Sequence, residues 1–135
     1  ASALGTRGHA IAQKKAARVA EQGLIESYVH LGGKVGALVE LNCETDFVAR
    51  MPEFKQLAHD LAMQVVAVNP RYVCRDDVPE GVDCGDEECL LLQPFIKDPA
   101  KTVEEIVTEL VASVRENVRV RRYVRFELGL DGQDG

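Results

Sequence analysis

The tetrapeptide Leu31-Gly32-Gly33-Lys34 lies between two apolar runs and constrains the fold more than any other feature of the chain. Two adjacent glycines reach positive φ at little steric cost, as a tight reversal between strands requires. The run that follows, Val35 to Cys43, alternates with a period of two. Val35, Ala37, Val39, Leu41 and Cys43 fall on one side; Gly36, Leu38, Glu40 and Asn42 fall on the other. One side is clearly apolar, so the spacing predicts a strand with a buried face. Leu24 to Leu31 is its candidate partner strand.

Downstream segments supply a cover for that face. Pro52 suits a first helical turn, where its missing N–H is harmless. After it, Phe54, Leu57, Ala58, Leu61, Ala62, Val65 and Val66 recur at helical spacing. Asn69-Pro70 stops this helix. Thr102 and Glu105 form a capping box ahead of a second stripe: Val103, Ile106, Val107, Leu110, Val111 and Val114. Val118 to Leu128 alternates again, which predicts a strand with Val118, Val120, Val124, Phe126 and Leu128 on one face. Upstream, the Ala-rich residues 8–22 read as a surface helix ended by Gly23. Arg71 to Cys74 is a candidate short strand. Leu90 to Ile96, broken by Gln93-Pro94, reads as an extended packed segment. The expected fold class is α+β: a small antiparallel sheet of about three strands, covered by amphipathic helices and preceded by an N-terminal helix. Residues 1–22 would form that helix and a linker, 23–129 the core, and 130–135 a disordered tail.

Charge enters the argument through its distribution. The 135 residues carry a net charge of −6. Between Cys74 and Cys89 stand seven acids (Asp76, Asp77, Glu80, Asp83, Asp86, Glu87 and Glu88) and one base, Arg75. This segment, 75–89, accounts for the whole net charge and reads as a solvated loop. Global acidity argues against a dedicated nucleic-acid binder, although residues 113–128 hold five arginines. Arg119, Arg121, Tyr123 and Arg125 would share one strand face, with Arg122 on the other. That pattern either resembles an RNA-binding surface or is a solvated face paired with acids. No apolar run approaches the ~18 residues needed to span a membrane as a helix. Cys74, Cys84 and Cys89 lack the close knuckle spacing of a structural zinc site, and Cys43 reads as a small buried group, so no metal is expected. His9, His30 and His59 have no nucleophile motif beside them, no enzyme class has a motif in its favour, and no cofactor is implied.

One segment is more specific than scaffold. Glu40-Leu41-Asn42-Cys43-Glu44-Thr45-Asp46-Phe47-Val48-Ala49-Arg50 passes from a buried strand into a turn, with an acid and an aromatic side by side where the strand stops. From the residues alone, Asp46 could cap the next turn and Phe47 could fold back on the core. These eleven positions closely resemble the signature of the elongation factor Ts family, the exchange factors of the translational GTPase elongation factor Tu. The resemblance extends to Lys14–Leu31, Met63–Val73, Leu91–Asp98 and Asn117–Gly129.

The resemblance implies a protein–protein mechanism rather than covalent chemistry. It implies that Thr45, Asp46, Phe47 and Val48 form a tip that enters elongation factor Tu near its nucleotide. Phe47 would be a wedge between helices of the partner, Asp46 would contact the displaced segment, and Thr45 and Val48 would position the tip. Asn42, Glu44 and Arg50 are possible additional contacts. Bacterial cytoplasm is the implied setting, with a plastid or mitochondrial matrix as the alternative. Family members usually begin with a small helical module carrying a Thr-Gly-Ala-Gly-type motif. That motif is missing here, which implies either a fragment or an unusual gene product. Carrying one core repeat rather than two implies a homodimer. The alternative function is a ribosome- or RNA-associated module using strand 119–125; direct nucleic-acid binding is otherwise not expected.

Overall fold

The computed structural model describes residues 15–130. The expected hairpin is present: β1 (Gln22–Val29) pairs antiparallel with β2 (Val35–Cys43), and His30 and Gly33 close the turn. A one-turn helix α1 (Asp46–Ala49) and a long helix α2 (Pro52–Val68) follow. Next come the acidic loop, a short hairpin of β3 (Pro94–Phe95) and β4 (Asp98–Thr102), helix α3 (Val103–Val114), and β5 (Arg119–Glu127). The main sheet has three antiparallel strands in the order β1-β2-β5. The fold is α+β, as the periodicities predict.

The apolar side of β2 is the floor of the core. Ala37, Val39, Leu41 and Cys43 are buried against Phe54, Leu57, Ala58, Leu61, Ala62, Val65 and Val66 of α2, and every residue of that helical stripe is buried. Asn69 ends α2 in the left-handed region at φ 50° and hydrogen-bonds back to Val65, so the chain turns where the sequence says it must. The capping box of α3 also forms: the Glu105 N–H donates to Thr102 Oγ1, and the Thr102 N–H donates to Glu105 Oε1 at 2.9 Å.

Four expectations are corrected. The N-terminal helix does not reach Gln22: residues 16–21 are turn and irregular, and residues 8–14 lie outside the described residues. Gly23 does not end a helix but lies inside β1 at φ 142°, where an added Cβ would sit 2.1 Å from the Leu41 carbonyl oxygen. Only glycine tolerates both that conformation and that approach. Only α2 lies squarely on the main sheet, because α3 packs chiefly on the second hairpin and on Leu90–Leu92. That second hairpin has no signature in the sequence, since a two-residue strand containing a proline has no periodicity to detect.

The fourth correction concerns β5. Glu40 pairs with Arg122 and Leu41 with Val120, so Arg121 is an extra residue in a bulge. One added residue inverts the alternation beyond it. Val118 and Val120 are buried, but Phe126 and Leu128 stand exposed on the opposite face. Tyr123 and Arg125 turn toward α2 instead, where the Tyr123 hydroxyl donates to the Pro70 carbonyl at 2.6 Å and Arg125 donates to that of Val66. The expected arginine face is therefore split: Arg125, opposite Ala37, lies against α2, whereas Arg119, opposite Asn42, falls on the other face with Arg122, which pairs with Glu40 at 2.7 Å.

A buried polar bridge fastens the second hairpin to α2. Gln64, fully buried, donates to Gln93 Oε1 (3.1 Å) and to the Pro94 carbonyl (3.0 Å), and its Oε1 accepts from the Ile96 N–H (2.9 Å). Beside it, Lys97 reaches both carboxylate oxygens of the buried Asp60. Replacing Gln64 with Leu keeps the volume but strands the Ile96 N–H and the Gln93 amide. Such a loss costs about 1–3 kcal/mol per buried group. The expected result is a chain about 2–4 kcal/mol less stable in urea melts, with an unchanged denaturant slope.

Candidate functional site

The site is the turn between β2 and α2. β2 delivers Cys43 fully buried, and the chain then leaves the sheet. Thr45 is the N-cap of α1, in extended conformation (φ −128°, ψ 153°), and its Oγ1 accepts from the Val48 N–H at 3.3 Å. The cap is thus Thr45 and not Asp46. Asp46 instead accepts from Arg50 Nε at 2.7 Å, one turn along. Val48 and Ala49 are buried and anchor the turn, and Cys43 Sγ donates to the Thr45 carbonyl at 3.1 Å. Phe47 does not fold back on the core. It is 78% exposed, beside Arg50, Met51 and Pro52.

Glu116 and Asn117, in the turn between α3 and β5, hold this turn from across the molecule. Glu116 Oε1 accepts from the N–H groups of Glu44 (3.1 Å) and Thr45 (3.0 Å), and its Oε2 accepts from the Thr45 hydroxyl (2.7 Å). In return, Glu44 accepts from the Asn117 N–H and pairs with Arg18. The Asn117 side chain donates to the carbonyls of Arg18 (2.8 Å) and Ala16 (3.4 Å). Three segments distant in sequence thus meet at the base of the tip.

Residues 1–84 match the family profile described as Elongation factor TS. The elongation factor Ts of Carboxydothermus hydrogenoformans is 44% identical, over 93% of this chain and 72% of that protein. Those of Pseudothermotoga lettingae and Heliobacterium modesticaldum are each 45% identical over 93% of this chain, covering 79% and 73% of their own lengths. The chain belongs to the elongation factor Ts family. It is a translation elongation factor of bacterial type by these relatives, and no described helix is long and apolar enough to cross a membrane.

Within this elongation factor Ts core the structure separates the residues singled out from sequence. Thr45, Asp46, Phe47 and Arg50 are exposed on one turn, with Val48 buried beneath them. Glu44 is half-buried in the clamp. Asn42 belongs to the sheet: it is buried, and its amide donates to the Gln22 carbonyl (3.2 Å) and to Glu40 (3.0 Å). That bond, followed by Arg122 and Arg121, holds the Glu40 carboxyl below its ordinary range. Glu116 escaped the sequence reading. Its only signal was an acid next to an asparagine at a helix–strand junction, a pattern that helix endings commonly show.

Burial raises the Cys43 thiol at the root of the tip from 9.0 to about 11, with Glu116 the next contributor. Burial also raises the Tyr123 hydroxyl. The folded chain holds these protons more tightly than the unfolded chain does. The Cys43 contribution to stability is therefore complete below pH 9 and is lost as pH rises toward 11, while that of Tyr123 is lost only at higher pH. The melting temperature should fall across that window, and Cys43→Ala should flatten the fall; a pH-independent melting temperature from 9 to 11 would contradict the assignment.

Proposed function

We propose that this chain is a guanine-nucleotide exchange factor that binds elongation factor Tu·GDP and speeds GDP release. The observation that carries this reading is Phe47, a large aromatic held out in solvent on a turn whose neighbours Val48 and Ala49 are locked in the core. An exposed aromatic on a fixed backbone is a wedge available to a partner, because little ordering entropy remains to be lost on binding. A P-loop GTPase holds its nucleotide through Mg²⁺ and backbone amides around the phosphates. Inserting Phe47 beside those elements, with Asp46 engaging the displaced segment, weakens that grip. By linkage, GDP and the factor weaken each other's binding by the same ratio, so incoming nucleotide releases the factor. The chain acts by binding, not as an enzyme, and its setting is the bacterial cytoplasm.

The second part of the proposal is a homodimer. The side of the sheet away from α2 carries Ile25 and Val29 of β1, Leu38 of β2, and Val124 and Phe126 of β5. Four of these five are exposed, and they share that face with Ser27 and the Glu40–Arg122 ion pair. Such a surface on a small domain marks an interface, and a two-fold pairing of two such sheets would bury it.

Stopped-flow release of a fluorescent GDP analogue from elongation factor Tu tests the first part. The chain should accelerate release and Phe47→Ala should abolish the acceleration; an unimpaired Phe47→Ala would refute the wedge. For the second part, light scattering after size exclusion should give twice the chain mass, and Phe126→Asp should give a monomer. A wild-type monomer at tens of micromolar, a concentration ample for a stable interface, would count against the dimer.

A further inference from the structure

We infer that Glu116 is a positioning residue for the exchange tip: its carboxylate sets the orientation of Phe47 from the far end of the chain. This rests on the exchange reading and adds a residue to it. Helix α1 has four residues, too few to hold itself in water. Its one N-terminal cap depends on the direction of a hydroxyl proton. The Thr45 hydroxyl has a single proton, and Glu116 Oε2 takes it at 2.7 Å. The Thr45 Oγ1 lone pairs are thereby left to face the Val48 N–H, the bond that closes the turn. Glu116 Oε1 meanwhile fixes the two amides immediately before the turn. Charge-assisted bonds of this kind are stronger than neutral ones.

The local backbone is built to bring Glu116 there. Arg115 stands in the left-handed region at φ 63°, an uncommon conformation for a non-glycine residue. The chain reverses at that residue, and Glu116 and Asn117 face the tip in succession. Glu44 then crosses over to the Asn117 N–H, so each turn braces the other.

The chain contains no tryptophan, so Phe47→Trp places a single fluorescent reporter at the tip. Time-resolved anisotropy of the introduced indole should decay with whole-molecule tumbling while Glu116 is present. Adding Glu116→Ala should introduce a fast local component on the nanosecond scale. In the Phe47 background, Glu116→Ala should lower the maximal GDP-release rate about tenfold, the scale of losing charged hydrogen bonds. Glu116→Gln retains an oxygen for the two amides and should recover most of that rate. If Glu116→Ala does not fold, Thr45→Val removes the hydroxyl while keeping its shape and should show the same fast component. Unchanged anisotropy in a folded variant would overturn the inference. So would a full release rate in Glu116→Ala when Phe47→Ala abolishes exchange. A mobile indole with release insensitive to both Phe47→Ala and Glu116→Ala would instead sink the exchange reading and leave the clamp standing.

Discussion

A four-residue helix makes too few hydrogen bonds to offset the entropy of fixing its backbone, so Phe47 stands where it does only because the chain is anchored on both sides. On one side Cys43 is sealed in the sheet, and on the other Val48 and Ala49 are sealed under α2. Between those anchors, Glu116 supplies acceptors to three donors that the turn leaves open. Much of the fold serves this arrangement. β2 brings the chain to the edge of the core, α2 receives it, and the turn ahead of β5 returns the acid that completes it. The tip is exposed yet not free, the combination that the proposed wedge requires.

The bulge at Arg121 matters as much as any buried contact. With regular alternation, Phe126 and Leu128 would have pointed into the core, and the arginines would have lined one open face. The extra residue reverses this. It directs Arg125 to the Val66 carbonyl in the last turn of α2, an acceptor that a helix end leaves open, and Tyr123 to the Pro70 carbonyl just beyond the helix. It also leaves Phe126 and Val124 beside Leu38 on the far side of the sheet, next to the Glu40–Arg122 pair. One insertion therefore both closes one face with polar bonds and moves Phe126 to solvent on the other.

These facts explain which parts of the fold are legible in the sequence. Val35–Cys43 and Phe54–Val66 are long enough for their periods to be unmistakable, and each builds a single face. The Thr102–Glu105 box is local and is legible for that reason. A bulge has no composition of its own. β3 and β4 are too short to alternate, and the polar bridge of Gln64 and Gln93 joins residues 29 positions apart. At the site, the tip is legible as a motif. Its support is not, because Glu116 lies 71 residues from Thr45 and only the closed sheet brings them together.

Rigidity at the tip is what the energetics of the proposed exchange would favour. A factor that loosens a nucleotide must bind the nucleotide-free partner better than the loaded one, by the same ratio as it weakens the nucleotide. Any ordering of the tip on contact would be subtracted from that difference. A tip fixed beforehand by the core and by Glu116 avoids the subtraction. In the exchange proposed above, the interaction energy of Phe47 would then go to distorting the partner rather than to ordering this chain. On the proposed exchange reading, the clamp at the root of α1 is what would let one exposed ring act without a larger contact area.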